Sequence, residues 1–297
     1  MTGWSRSLLP LVLLALAGCS LNPLRHTPRR PVPTATTACR DNTGAAQSNR
    51  YCQRNDSTPD IAGIDFSQIP EPVPQALPRS AYGNKSPYTV NGQTYRVLGS
   101  AAGYDERGIA SYYGSKFNGY KTSNFETYDM YRFSAASKVL PLPSFARVTN
   151  LQNGKSVIVR VNDRGPFVAN RIIDLSLAAA VRIGIYPKGS GLVEVQGIDP
   201  TRPNAEPRPP SVVTTQTGGG VQLYVQVGAF ADPGNAERLA ARLRGLAFGT
   251  VRVVAANIGG RTLQRVQIGP LPDVDTVDRT TARLDALGLP HASVAIQ

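Results

Sequence analysis

Two segments rich in proline, glycine and threonine, at residues 19–80 and 199–220, divide this chain into separate folding units. Such composition is typical of flexible linkers, because proline and glycine interrupt helices and strands and small polar side chains bury little apolar surface. Of the 297 residues, 28 are glycine and 24 are proline, and 41% are hydrophobic. We therefore expect two small domains, at 81–198 and 221–297, and the composition excludes a polytopic membrane protein and one large α/β core.

The chain is basic, with a net charge of +12 from 32 lysines and arginines against 20 aspartates and glutamates. The excess is spread along the sequence and is not concentrated in one arm. This distribution favours a diffuse attraction to acidic surroundings and argues against a nucleic-acid-binding tail. We therefore expect no nucleic acid among the partners.

Residues 1–18 have the layout of a secretory signal, with Arg6 ahead of an apolar run at 8–17 that is too short to span a bilayer. The alternative, a buried N-terminal helix, lacks a partner surface in the polar, proline-rich run that follows. Residues 16–19, Leu-Ala-Gly-Cys, resemble a bacterial lipobox. The resemblance implies cleavage before Cys19 and lipidation of its thiol, and Ser20 in place of aspartate favours the outer membrane.

The other two cysteines, Cys39 and Cys52, leave two interpretations open. In an oxidising compartment they form a disulfide that closes this short loop, or they are free or intermolecular thiols. A structural zinc site needs four ligands, and these two cysteines have no neighbouring histidine. We therefore expect no metal and no cofactor.

Between the two linkers, short strand patterns alternate with turn signals. Asn153-Gly154 separates two β-branched runs, and this dipeptide is the strongest short hairpin signal because both residues tolerate positive φ. Ser176 is a predicted N-cap and Gly184 a predicted helix end. Many short strands with one helix favour a small closed β-barrel. The predicted elements are strands at 108–113, 145–150, 156–161 and 191–196 and a helix at 177–183.

Three motifs run in order through residues 106–198. They are Gly-Ile-Ala-Ser-Tyr-Tyr-Gly at 108–114, Thr-Ser-Asn-Phe-Glu-Thr-Tyr-Asp-Met at 122–130 with Ser-Ala-Ala-Ser-Lys at 134–138, and Val-Asn-Asp-Arg-Gly-Pro-Phe at 161–167. Together they resemble the rare lipoprotein A family, which implies a six-stranded double-psi β-barrel with lytic transglycosylase activity on peptidoglycan. Expansin-like proteins share this fold and bind sugar without cleaving it, so the fold alone does not establish catalysis.

The implied reaction cleaves the MurNAc-GlcNAc β-1,4 bond without water and leaves 1,6-anhydroMurNAc ends. It needs an acid for the leaving oxygen and a base for the C6 hydroxyl, and one carboxyl group with a raised pKa can serve as both in turn. By the resemblance, Asp163 is this residue, Glu126 stabilises the oxocarbenium-like charge, and Asp129 supports them. The alternative is a purely structural role for Asp163, since an aspartate before Arg-Gly-Pro is also a common turn former.

Several neighbouring residues are candidates for the substrate cleft. The aromatic ones fit a cleft wall and the barrel core equally well, whereas Asp174 is interpreted as a structural group near the start of the helix. The candidate substrate-binding residues are Tyr112, Tyr113, Phe117, Asn162 and Arg164.

Two positions depart from the family pattern. Ser137 stands where members commonly have a functional histidine, and the chain has only His26 and His291, so the barrel contains none. A serine cannot titrate near neutrality, so any proton transfer by an imidazole is lost. Phe125 replaces a glycine and restricts its loop. The rival hypothesis is therefore a noncatalytic, septal glycan-binding lipoprotein.

The last 77 residues alternate strand and helix patterns in the order βαββαβ, which predicts a ferredoxin-like sheet with both helices on one face. The runs Tyr-Val-Gln-Val-Gly-Ala-Phe at 224–230 and Arg-Val-Gln-Ile-Gly-Pro at 265–270 resemble the SPOR domain, which implies binding to denuded glycan. Period-two alternation places Val225 and Val227 beneath the helices. The candidate glycan-binding residues are Tyr224, Gln226, Phe230, Arg265 and Gln267.

Two other interpretations of this sheet are a merely solvated face and an RNA-binding face that stacks bases on aromatics. Export of the chain argues against RNA. The sequence as a whole predicts a lipoprotein on the periplasmic face of the outer membrane, enriched at the division septum, where it would cleave denuded glycan strands during cell separation.

Overall fold

The computed structural model describes residues 1, 51, 55–168, 170–202, 222–289 and 292–297. The predicted signal, all three cysteines, both histidines and most of the second linker lie outside these residues. The barrel region contains β1 (Tyr88–Val90), β2 (Gln93–Tyr95), β3 (Asp105–Tyr113), β4 (Ser134–Ser137), β5 (Ser144–Asn150), β6 (Ser156–Asp163), β7 (Arg171–Ser176), α1 (Leu177–Arg182) and β8 (Ser190–Gly197).

Six of these strands close into a barrel in the order β3-β7-β4-β6-β5-β8, which confirms the predicted six-stranded barrel. The sheet is mixed, because β3 pairs with β7 and β4 with β6 in parallel while the other neighbours are antiparallel. Strands β5 and β6 form the hairpin predicted around Asn153-Gly154, and Gly154 has a φ of +71°. Closure leaves no exposed sheet edge and buries valines such as Val148, Val159 and Val161 completely.

Helix α1 begins where the sequence indicated, since the Ser176 hydroxyl accepts a hydrogen bond from the Ala179 amide at 3.3 Å. Leu177, Ala178, Ala179 and Ala180 are completely buried. Their small side chains let the helix lie close against the strands. This helix closes one side of the barrel core.

Residues 55–80 pack against the barrel. This part of the chain therefore differs from the flexible tether that the sequence predicted over 19–80. The Asp56 carboxylate accepts hydrogen bonds from the amides of Gly114 at 2.7 Å and Lys116 at 3.0 Å. Phe66 and Ile69 are buried, with 7% and 4% of their surface exposed. The segment has no periodic pattern, so its core-packing side chains carry no recognisable signal in the sequence.

The C-terminal domain contains β9 (Leu223–Phe230), α2 (Pro233–Gly245), β10 (Val251–Ile258), β11 (Arg261–Leu271), α3 (Val274–Ala286) and β12 (Ser293–Ile296). Its sheet is antiparallel in the order β10-β11-β9-β12, which confirms the predicted βαββαβ fold. Both helices contribute to one apolar cluster with the sheet, in which Ala240, Leu243 and Leu284 pack with Val225 and Ile268. The helices therefore cover the same face, as the βαββαβ order predicted.

Candidate active site

A cavity of about 520 Å³ opens at the end of the barrel where β6 and β7 carry acidic side chains. Besides the Lys121 ammonium group, its described lining combines aromatic rings, two carboxyl groups and one guanidinium. These residues are Tyr51, Tyr113, Phe117, Phe167, Asp163, Asp174 and Arg164. A concave site with a few converging polar groups among aromatic walls is the usual form of a substrate site.

Asp163 ends β6 and lies in this cavity, as expected of the predicted catalytic residue. Its Oδ1 accepts hydrogen bonds from the Ser123 amide at 2.8 Å, the Ser123 hydroxyl at 2.6 Å and the Arg164 amide at 2.8 Å. Three donors on one carboxylate oxygen suit the ionised form of the group. The bond to its neighbour's amide is also that of the turn former considered above, so both descriptions apply to Asp163.

Asp174 lies in the same cavity, on β7, and was not among the predicted site residues. Its Oδ1 is sealed from solvent and has no hydrogen-bond partner among the described residues. Burial raises the pKa of Asp174 from 3.8 to about 7, opposed by a hydrogen bond with Ser111 and reinforced by the charges of Asp56 and Asp163. This carboxyl group therefore keeps its proton close to neutral pH.

The pairing of strands explains why the two acids face one cavity. Ala136 on β4 is the register partner of Asp163 on one side and of Asp174 on the other, and all three line the cavity. Adjacent strands lie about 4.8 Å apart, so the two aspartate Cα atoms are at most about 10 Å apart, and the curvature of the closed barrel shortens this distance. The methyl side chain of Ala136 leaves the space between the two carboxyl groups open.

Arg164 forms part of the wall next to Asp163. Its guanidinium donates to the carbonyls of Gly83 at 2.6 Å, Ser137 at 2.9 Å and Leu140 at 2.6 Å. Burial lowers the pKa of Arg164 to about 10, which still leaves it charged at neutral pH. Its contacts connect its own segment with the chain at Gly83 and at Ser137–Leu140, so its first role here is to hold the cavity wall in place.

Glu126 does not line the cavity with Asp163. It receives hydrogen bonds from Arg160 Nη2 at 2.6 Å, Asn162 Nδ2 at 3.0 Å and Asn124 Nδ2 at 2.8 Å. Partial burial alone would raise the pKa of Glu126, but the bonds from Arg160, Asn162 and Asn124 outweigh it and the pKa lies below its usual value. Glu126 anchors its loop to β6, and Asn162 belongs to this anchor and not to the cavity lining.

Asp129 and Ser137 also lie outside the cavity lining. Asp129 accepts a hydrogen bond from the Tyr131 amide at 2.9 Å within a turn. Ser137 is 1% exposed, and its hydroxyl accepts from the amides of Val139 at 3.3 Å and Leu140 at 3.1 Å. Both side chains have local structural partners, so a catalytic role for either remains a prediction.

The predicted aromatic residues, Tyr112 and Tyr113 on β3 and Phe117 in the turn after it, do not all face the cavity. Tyr113 and Phe117 line the cavity, and Tyr113 is also buried and stacks on Tyr128 with ring centroids 4.1 Å apart. Tyr112 points the other way and packs beside Tyr186. Sequence reasoning interpreted Asp174 as structural, although a carboxylate within the apolar run 172–175 was a signal, and it missed Tyr51, which lies in the expected tether.

In the C-terminal sheet, three predicted glycan-binding residues are less available than expected. Tyr224 is 2% exposed, and the guanidinium of Arg252 lies 3.5 Å from its ring centroid. Gln267 is fully buried and accepts two bonds from the same guanidinium, at 2.8 and 3.0 Å. Phe230 packs against the helix-side apolar cluster.

The alternation was therefore correct for Tyr224 and Gln267, but their face is covered by Arg252. Phe230 turns toward the helices because the register of β9 against β11 shifts between Val266 and Gln267. Gln226 and Arg265 keep partial exposure and remain the accessible candidates.

Over the described ranges, no helix is long and apolar enough to cross a membrane. Within those same ranges, no group of three or more histidine, cysteine, aspartate or glutamate side chains is arranged to hold a metal ion.

Comparison with known proteins assigns both domains. The barrel matches the family model described as lytic transglycolase over residues 105–196, and the C-terminal domain matches the SPOR domain over residues 220–295. The chain is 42% identical over 237 residues to the endolytic peptidoglycan transglycosylase RlpA of Pseudomonas aeruginosa strain UCBPP-PA14, covering 63% of this chain and 69% of that protein.

Two further matches follow. The RlpA of Vibrio cholerae serotype O1 is 42% identical over 201 residues, covering 68% of this chain and 66% of that protein. Among solved structures, the RlpA SPOR domain from Pseudomonas aeruginosa is 36% identical over 25% of this chain and 96% of that one, with a TM-score of 0.24.

Proposed function

We propose that this chain, which belongs to the RlpA family of endolytic peptidoglycan transglycosylases, cleaves peptidoglycan glycan strands in the cavity of its barrel. The single observation that carries the proposal is the pair of aspartates, Asp163 and Asp174, on either side of Ala136 in one cavity. An acid and a base placed on two sides of an open space suit the cleavage of a glycosidic bond between them.

The two aspartates divide the acid and base roles. Asp174, whose pKa of about 7 keeps it protonated, gives its proton to the glycosidic oxygen as the bond from that oxygen to C1 breaks. Asp163, hydrogen-bonded as a carboxylate, takes the proton of the C6 hydroxyl as O6 bonds to C1. No water enters the products, which are a 1,6-anhydro end and a free hydroxyl, and a proton returned from Asp163 to Asp174 through solvent restores the enzyme.

This division differs from a single residue acting first as acid and then as base. Two groups whose surroundings favour opposite protonation states identify the acid and the base of a site. Glu126, paired with Arg160, is a positioning residue in this account, because it fixes the loop whose Ser123 holds Asp163.

The test is digestion of denuded sacculi by the full chain, with the products identified by mass spectrometry. Wild type should release 1,6-anhydro products, and Asp163→Asn should lower the rate by about 10² to 10⁴ while glycan binding survives. Asp105→Asn, which removes an exposed carboxylate on the same barrel, is the matched control and should leave the rate unchanged. The absence of anhydro product from wild type, with glycan still bound, would establish the noncatalytic alternative that the lack of a barrel histidine favours.

The proposal also includes where in the cell the protein acts. A SPOR domain beside a glycan-cleaving barrel supports binding to denuded glycan and enrichment at the division septum. The lipobox-like residues 16–19 support anchoring of the chain to the outer membrane through Cys19, facing the periplasm. Two lipid-bearing signals or several acyl chains are needed for stable anchoring, since a single chain binds reversibly.

Cys19→Ser tests the anchor directly. The variant lacks the thiol that would be acylated, so it should lose metabolic palmitate labelling and leave the membrane fraction. Palmitate incorporation equal to that of wild type would refute the lipobox interpretation, whatever the barrel does to glycan.

A further inference from the structure

Two aromatic rings stand exposed on the surface next to the cavity. Tyr82 is 59% exposed and Phe125 is 51% exposed, and their ring centroids lie 4.5 Å apart with 50° between the ring planes. They come from separate parts of the chain, one preceding the barrel strands and one on the loop between β3 and β4. We call this pair the aromatic ledge.

The stability of the fold does not explain why a phenylalanine stands at position 125. Its φ is +66°, in the left-handed region where a bulky side chain costs stability and glycine does not. A ring that is half exposed recovers little of that cost through burial. A strained residue that the surrounding structure nevertheless fixes points to a functional constraint.

The loop that carries Phe125 is held on both sides of it. The Phe125 amide donates to the Thr122 carbonyl at 2.9 Å, which closes the turn. Before the ring, the Ser123 hydroxyl is bonded to Asp163 at 2.6 Å, and after it, Glu126 is paired with Arg160 at 2.6 Å. The ring is thus presented in one place, so little conformational entropy is lost when a ligand stacks on it.

The ledge is continuous with the cavity. The Gly83 carbonyl, one residue after Tyr82, accepts a hydrogen bond at 2.6 Å from Arg164, which lines the cavity. A Cβ on Gly83 would lie 2.9 Å from the Ser123 carbonyl oxygen, so the backbones carrying the two rings touch. A chain of sugars bound at Asp163 therefore has the ledge beside it.

We propose that the aromatic ledge binds a sugar ring of the glycan strand outside the cleavage point, as an additional substrate subsite. A pyranose presents a flat face of C–H groups with hydroxyls around its rim, which fits an exposed aromatic ring whose edges remain in water. This inference rests on the proposed function, because it takes the occupant to be the same strand that the two aspartates cleave.

Kinetics of the full chain on purified denuded glycan strands test the ledge. Phe125→Gly should raise KM about five- to tenfold, the loss of one aromatic contact, with kcat within twofold of wild type. Because glycine relieves the backbone strain, the melting temperature should stay the same or rise. Phe125→Leu, which stays apolar but loses the flat face, should show the same rise in KM. Phe125→Trp, which keeps a flat aromatic face, should have the KM of wild type.

The matched control is Val73→Ala, which trims a side chain that is 78% exposed elsewhere on the same domain and should change neither constant. An unchanged KM in the double variant Tyr82→Ala, Phe125→Gly would overturn the ledge and leave the proposed function intact. A fall in melting temperature for Phe125→Gly would also overturn it, since the ring would then be structural.

If wild type cleaves nothing, the proposed function fails and the ledge is judged by binding alone. Calorimetric titration of a purified glycan oligosaccharide into wild type and Phe125→Gly then decides. About five- to tenfold weaker binding by the variant supports the subsite, and equal binding refutes it.

Discussion

The barrel cavity and the open face of the C-terminal sheet are both made of polar and aromatic side chains on strands, but their charged groups are used differently. In the cavity, Asp174 keeps an oxygen without a partner and Asp163 faces open space beside Ala136. On the sheet, Arg252 stacks on Tyr224 and donates to Gln267 Oε1, so these groups cover one another, although Gln267 Nε2 is sealed without a hydrogen-bond partner among the described residues. The difference shows that residue type indicates a candidate site, whereas access for a ligand distinguishes an open site from a covered one.

The largest effect that would sharpen this contrast is on catalysis. Asp174→Asn keeps the shape of the side chain but cannot release a proton, so the cleavage rate should fall by about 10² to 10⁴. In wild type, the rate should decrease as the pH rises through about 7, where Asp174 loses its proton. The pH dependence of kcat/KM on glycan strands measures both. A rate in Asp174→Asn equal to wild type would return both roles to Asp163.

The stability of the same variant provides an independent check with a definite sign. The pKa of Asp174 is higher in the folded protein than its ordinary value of 3.8, so ionisation opposes folding and stability is lost as the pH rises from about 4 to about 7. Asp56, Asp163 and Arg171 are the charged groups that face it. Asp174→Asn should therefore raise the free energy of unfolding at pH 8, on the order of 4 kcal/mol, and this gain should vanish below pH 4.

A smaller effect is expected on the C-terminal sheet, where variants test whether the side chains covered by Arg252 are unavailable to glycan. Replacing Gln226 and Arg265 together by alanine should weaken binding of denuded sacculi in a pelleting assay with little change in melting temperature, because both side chains are partly exposed. Gln267→Ala should do the opposite and lower stability by about 1–3 kcal/mol, since it removes one of the two acceptors of the Arg252 guanidinium and leaves Gln297 Oε1 as the other. Loss of glycan binding in Gln267→Ala without loss of stability would mean that the covered face opens to ligand.

The smallest expected effect concerns Ser137. Ser137→Ala removes the acceptor for two turn amides and should cost about 1 kcal/mol of stability, with turnover per folded molecule unchanged. Ser137→His places a larger ring in a fully enclosed position and should lower the melting temperature without raising activity. Faster turnover in Ser137→His would show instead that an imidazole is needed at this position.

Local patterns predicted the architecture well and the contacts poorly. The hairpin at Asn153-Gly154, the N-cap at Ser176 and the βαββαβ order each depend on neighbours in sequence, so the residues alone carry them. The pairing of Asp163 with Asp174 depends on which strands lie on each side of β4, and a local pattern does not encode strand order. The cover that Arg252 places over Tyr224 likewise arises from cross-strand pairing between β10 and β11.

The way the chain enters the barrel has a mechanical consequence. Asp56 and Ser57 are bonded to the backbone of residues 114–116, which follows the cavity-lining Tyr113. Tension applied through the preceding chain therefore reaches the rim of the cavity first, and not the opposite end of the barrel. If the chain is anchored at Cys19 as proposed, a growing gap between membrane and wall would load this rim through Tyr51, which packs on Phe117, and through the hydrogen bonds of Asp56 and Ser57, and would make the cleft sensitive to the distance between the two layers.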